Sequence, residues 1–216
     1  MHPKGGFLIS ALLLSGVRLL GLEWVSDRFE GRPAPLQTTM DVAFAYKNIS
    51  SQSVTIRSIQ SNCDCLQVGA SKVTLAPGES GMVTARFTVG DRIGLYERTI
   101  TVVSDDVPEP KRLHVRIDVP EAATASPNVL AWPIGAPAEE RIVDIRTAAG
   151  VKITFFEALP SNSSFRVQLE AVNAGEHYRL RITPASTSAA ANAAIRVKGT
   201  ASTGQPVLVS AYANVR

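Results

Sequence analysis

The 216-residue chain has two cysteines, three histidines and two tryptophans, and 19% of its residues are charged. There is no second cysteine pair, so a tetrahedral zinc site would need two further ligands. Outside the first few residues, only His114 and His177 could supply imidazole. Gly-x-Ser-x-Gly is absent, since Gly78-Glu79-Ser80-Gly81 has the wrong spacing for a nucleophile elbow. No paired-histidine helix, phosphate loop or dinucleotide fingerprint occurs. A basic stripe interleaved with aromatics is also missing, which argues against a nucleic-acid surface. These absences point away from an enzyme.

The formal charge of +3 is weaker than it looks. Lys4 and Arg18 contribute +2 from residues 1–21, leaving 20 basic and 19 acidic side chains in the rest. With 45% hydrophobic residues, the composition excludes disorder and implies a buried core. The 13 prolines and 15 glycines are spread along the chain, as turns between many short elements require.

Residues 1–21 read as an export segment. Lys4 precedes an apolar run that includes Phe7, Leu8, Ile9, Leu12, Leu13 and Leu14, the order of a secretory signal. No small-x-small cleavage site precedes Leu22, and Arg18 interrupts the apolar run. Removal and retention are therefore both open; if retained, residues 7–22 would attach the protein to a membrane, though a span needs about 20 apolar residues. The expected location is periplasmic or extracellular.

Residues 22–121 alternate with period two, the pattern of half-buried strands. Val42-Ala-Phe44-Ala-Tyr46, Val54-Thr-Ile56, Val83-Thr-Ala85-Arg-Phe87-Thr-Val89 and Leu113-His-Val115-Arg-Ile117-Asp-Val119 place apolar side chains on one face. Turns fall at Asn48–Ser51, Ala76-Pro77-Gly78-Glu79 and Asp105–Pro110. Seven strand-like runs without a helix predict an antiparallel sandwich. Ala122–Pro127 reads as a small-residue linker. Residues 122–216 then give about seven more runs, at Val129–Trp132, Arg141–Ile145, Val151–Phe156, Phe165–Leu169, Tyr178–Ile182, Ala194–Lys198 and Val207–Val215. The expected fold is all-β: two tandem antiparallel immunoglobulin-like β-sandwiches, 22–121 and 122–216, after the N-terminal segment. Trp24 and Trp132 are expected in the cores, and His114 on a solvent face.

The one place where chemistry could sit is Asn62-Cys63-Asp64-Cys65. A disulfide between Cys63 and Cys65 closes so small a loop that chain entropy gives about 1.6 kcal/mol, a poor staple. On an extended strand, positions i and i+2 lie near the upper limit for bridging, so a disulfide needs a local bend and would suit redox chemistry better than structure. As thiolates, the two sulfurs could converge on Cu(I). A local turn whose sulfurs merely pack is the bland alternative. Asn48-Ile-Ser50 and Asn162-Ser-Ser164 fit the glycosylation pattern.

Phe44-Ala-Tyr46-Lys-Asn48, Val54-Thr-Ile56, Ser61-Asn-Cys63-Asp-Cys65, Ala76-Pro-Gly-Glu-Ser-Gly81, Arg92-Ile-Gly94 and Leu113-His-Val115 together resemble the bacterial family called domain of unknown function 1573. Leu22-Glu-Trp24 resembles its opening. Tyr46 stands where that family usually has Phe, and Asp64 where it usually has Gly. The resemblance implies an exported bacterial protein with immunoglobulin-like modules and no established activity. Two functions are expected from these readings: a non-enzymatic envelope scaffold engaging an envelope or extracellular protein partner, or copper or redox handling at Cys63 and Cys65.

Overall fold

A computed structural model describes residues 21–216. The export reading, with Phe7, Leu8, Ile9, Leu12, Leu13 and Leu14, lies outside the described residues. Among the described residues there are strands and turns and no α-helix.

The first sandwich is built from β1 (Leu22–Trp24), β2 (Arg28–Gly31), β3 (Thr39–Asn48), β4 (Val54–Ser61), β5 (Leu66–Ala70), β6 (Thr74–Leu75), β7 (Ser80–Thr88), β8 (Gly94–Ser104) and β9 (Lys111–Val119). Its sheets run β1-β3-β7-β5 and β2-β9-β8-β4-β6. The alternation read from the sequence decides what is buried: Val42, Phe44 and Tyr46 on β3, Val83, Ala85 and Phe87 on β7, and Leu113, Val115, Ile117 and Val119 on β9. His114 is exposed between them.

The second sandwich comprises β10 (Ala123–Ser126), β11 (Val129–Trp132), β12 (Arg141–Thr147), β13 (Ile153–Pro160), β14 (Phe165–Asn173), β15 (His177–Pro184), β16 (Ala191–Ala201) and β17 (Pro206–Val215). The sheets are β10-β12-β15-β14 and β11-β17-β16-β13, with β11 parallel to β17. Trp132, Val143, Ile145, Ile153, Phe165, Leu180, Ile182, Ile195 and Val197 fill this core.

By chain proximity, one compact unit gathers the described residues up to Phe29 with Asp41–Phe87 and Arg98–Val115. The other gathers Glu30–Met40, Thr88–Glu97 and Arg116–Arg216.

Three strands depart from the sequence reading. Ala123–Ser126 is not a linker but the edge strand β10, in antiparallel register with β12 from Ala123↔Thr147 to Ser126↔Asp144. Alanine, threonine and serine carry little apolar signal, so pairing to a neighbour, rather than side-chain pattern, makes this segment a strand. The sequence also missed β2, with one large apolar residue in four, and β5, which is five residues long. Trp24 is half-buried because β1 is a three-residue edge, and its ring packs on Tyr46 at 5.0 Å between centroids. Trp132 is fully buried, as expected.

Candidate functional site: the Cys63–Cys65 turn

Strand β4 ends at Ser61, paired with Ile100 of β8. The chain then turns sharply into β5. The Leu66 amide donates to the Cys63 carbonyl at 3.1 Å, closing a turn with Asp64 and Cys65 at its centre. Ser61 Oγ braces it, accepting from the Cys63 amide at 3.1 Å and donating to the Cys63 carbonyl at 2.9 Å. Asn62 ties the turn to β8: its amide donates to the Thr99 carbonyl at 3.2 Å, and its Oδ1 accepts from the Thr99 amide at 3.1 Å.

Within this frame Cys63 and Cys65 form a disulfide, with Cα atoms 5.2 Å apart. This is inside the usual bridging range, and the turn supplies the bend that an extended strand lacks. The two sulfurs are not equivalent. Cys63 is half-buried, Cys65 is 5% exposed, and Asp64 between them faces solvent. The Cys65 amide donates to Cys63 Sγ at 3.0 Å. In this oxidised state neither sulfur is a thiolate, so Cu(I) ligation would require reduction first.

The other sequence-selected residues do not gather around the turn. His114 is on β9. His177 on β15 meets Asp144 on β12 through Nε2, with Arg179 Nε 3.8 Å from the same carboxylate. The hydrogen bond from His177 holds the Asp144 carboxyl below the usual carboxylate range. No group of three or more histidine, cysteine or acidic side chains able to hold a metal occurs among the described residues. Asp105 and Asp106 brace backbone instead: Asp105 Oδ1 accepts from the Thr55 amide and Asp106 Oδ2 from the Leu22 amide, both at 2.7 Å.

Asn48, half of a glycosylation pattern in sequence, is wholly buried. Its Nδ2 donates to the carbonyls of Gln52 (2.7 Å) and Leu75 (3.0 Å), and its Oδ1 accepts from the Ser50 amide (2.9 Å). A glycan has no access there. Asn162 remains exposed.

What the sequence reading missed is a second copy of the turn's design. β13 leads into β14 through Ser161-Asn162-Ser163-Ser164. The Ser161 amide donates to the Ala194 carbonyl at 2.8 Å, and Ser161 Oγ accepts from the Ala194 amide at 3.2 Å. This is the same reciprocal tie to the neighbouring strand that Asn62 makes to Thr99. Asn162 Oδ1 then accepts from the Ser164 amide at 3.0 Å, as Cys63 Sγ does from the Cys65 amide. No aligned sequence signal reveals it, because the Ser-Asn dipeptides of the two turns are one position out of register: Asn62 corresponds to Ser161 and Cys63 to Asn162.

Two sandwiches of this strand order define an immunoglobulin-like, all-β protein. Residues 22–119 are a domain of the family described as "Protein of unknown function (DUF1573)". No match is found among curated proteins. Likenesses among solved structures are remote. The PapD-like domain 7 of human CEP192 has TM-score 0.40 and 12% identity, over 56% of this chain and 99% of that one. A protein of unknown function from Porphyromonas gingivalis W83 has TM-score 0.34 and 12% identity, over 89% of this chain and 98% of that one. The Vibrio cholerae VesB protease has TM-score 0.37 and 20% identity; 46% of this chain spans 31% of that protein's length.

Proposed function

We propose that this protein is an exported, non-enzymatic binding module of the bacterial envelope, which holds a protein partner against the second sandwich. The observation that carries the reading is the exposed face of the β11-β17-β16-β13 sheet. Outward positions of a solvated sandwich are ordinarily polar. Here Val129 and Tyr212 are 49% and 47% exposed and lie opposite each other, followed by Ala194 across the next pairing. Leu208 (55%) and Leu159 (47%) add apolar side chains to the same face around Ser210 and the Lys198–Glu157 ion pair, and Arg196 lies directly opposite Leu159. At the free edge, a bulge between Phe155 and Glu157 turns Phe156 out to 64% exposure. Bulges of this kind manage an edge or re-aim a side chain. A partner that fits would present apolar side chains beside an acidic group complementary to Arg196. The leader-like residues 1–21 support export.

A photo-reactive amino acid at position 212, introduced in the native host, tests this. The expected outcome is a discrete adduct that is absent when the probe sits at exposed Thr84 and lost in Leu208→Asp. A soluble, folded protein that gives no position-specific adduct overturns the reading. Accumulation in the cytoplasm rather than in the envelope fraction overturns the export part.

A further inference from the structure

We propose that the Cys63–Cys65 disulfide is a redox-active group that exchanges with the dithiol of a partner protein, with Cys63 as the attacked sulfur. Three independent observations lead there. The turn does not need the bridge: Ser161–Ser164 makes the same reciprocal tie to its neighbouring strand, and Asn162 Oδ1 takes the amide of Ser164 as Cys63 Sγ takes that of Cys65, with no covalent link between the two positions. The bridge also spans only two positions, and so removes little freedom from the unfolded chain. Finally, the two sulfurs differ in a way that gives exchange a direction. Cys63 is half-exposed, Cys65 is buried, and the Cys65 amide points at Cys63 Sγ from 3.0 Å.

The steps balance as two successive displacements. A partner thiolate attacks Cys63 Sγ, the Cys63–Cys65 bond breaks, and Cys65 Sγ leaves with the electron pair and takes up a proton. The partner's second thiolate then attacks the partner sulfur of the mixed disulfide. That bond breaks, and Cys63 Sγ leaves as a thiolate onto the waiting Cys65 amide. The partner dithiol ends as a disulfide and this protein as a dithiol, two electrons having moved. Hydrogen bonding to a thiolate stabilises it and makes it a better leaving group, so the amide favours the second displacement. The ties from Ser61 and Asn62 run through backbone and side-chain oxygens and do not involve sulfur, so the turn keeps its shape after reduction.

The full exported chain, equilibrated in glutathione buffers and quenched by alkylation, tests the proposal. The expected result is reversible conversion between disulfide and dithiol, with the far-ultraviolet circular dichroism of the chain unchanged. A disulfide that resists reduction until the domain unfolds overturns it. Single variants then assign the sulfurs: in Cys65→Ser, Cys63 should be alkylated about tenfold faster at neutral pH than Cys65 in Cys63→Ser. Equal or reversed rates overturn the assignment of Cys63. The double Cys63→Ser/Cys65→Ser protein should stay folded; loss of its fold would make the bridge structural and overturn the proposal.

Discussion

The two sandwiches order their strands alike. β1-β3-β7-β5 matches β10-β12-β15-β14, and β2-β9-β8-β4 matches β11-β17-β16-β13, with β6 the one addition in the first. Backbone bonds align them residue by residue: the Asn48 amide donates to Glu79, as the Thr147 amide donates to Glu176. Ile49 donates to Gly21, as Ala148 donates to Ala122. On this alignment Tyr46 corresponds to Ile145 and Gly81 to Tyr178, and the large side chain has changed strands. In the first sandwich Tyr46 lies over Gly81, where an added Cβ would come within 2.7 Å of the ring. In the second, Tyr178 stands opposite Ile145 and donates its hydroxyl to the Ile153 carbonyl. The shared volume is conserved while the residue that fills it is not. That is how cores built on one backbone plan diverge without changing fold.

Asn48 offers the sharpest test of this comparison. It is buried and bridges the β3–β4 turn to β6, whereas Thr147 is half-exposed. Asn48→Ala strands several polar groups at once and should cost about 3 kcal/mol. Thr147→Ala should stay within about 1 kcal/mol in the same urea titration. Equal losses would break the distinction between the two junctions.

Next in size is Gly81→Ala, which overpacks against Tyr46 and should cost about 2 kcal/mol. In a Tyr46→Ile background the added methyl should become nearly free, and the coupling in the double-mutant cycle measures the exchange of volume. Gly199, where a Cβ would approach Phe155 within 2.6 Å, should show a similar penalty in the second sandwich.

Replacing both cysteines by serine makes the first turn resemble the second, and should cost no more than about 1.6 kcal/mol. A larger drop in the denaturation midpoint would mean that the turns are less alike than their hydrogen bonds suggest.

The smallest effect belongs to the pair at Asp144 and His177, which occupies positions held by Ala45 and Ser80 in the first sandwich. Because the folded carboxyl is held below its usual range, its contribution is present above the unfolded carboxylate's pKa. It is lost as pH falls through the lowered folded value. Partial exposure limits it to about 0.5 kcal/mol, and Asp144→Asn should remove that increment near neutral pH while changing little in acid.

Much of this was legible from residues alone. Val83–Val89 and Leu113–Val119 announce their buried faces by alternation. Cys63 and Cys65 stand out as the only reactive pair, and Pro77-Gly78 marks its turn. Other features were not legible. Ala123–Ser126 looks like a linker because nothing in its side chains distinguishes an edge strand from a loop. Asn48 looks like a glycan acceptor because burial is not written in a tripeptide. The Ser161–Ser164 turn looks unrelated to Ser61–Cys65 because their likeness lies in backbone partners 33 and 37 residues away.

By itself, then, the sequence determined the all-β class, the two series of strands and the position of the sulfur pair. Each of these rests on local periodicity and residue chemistry, which act over a few positions. Tertiary structure alone decided which strands pair, which aromatic fills which core, and that Cys63 is open while Cys65 is closed. A strand's hydrogen bonds and a side chain's burial are satisfied by distant parts of the chain, and only folding brings those together.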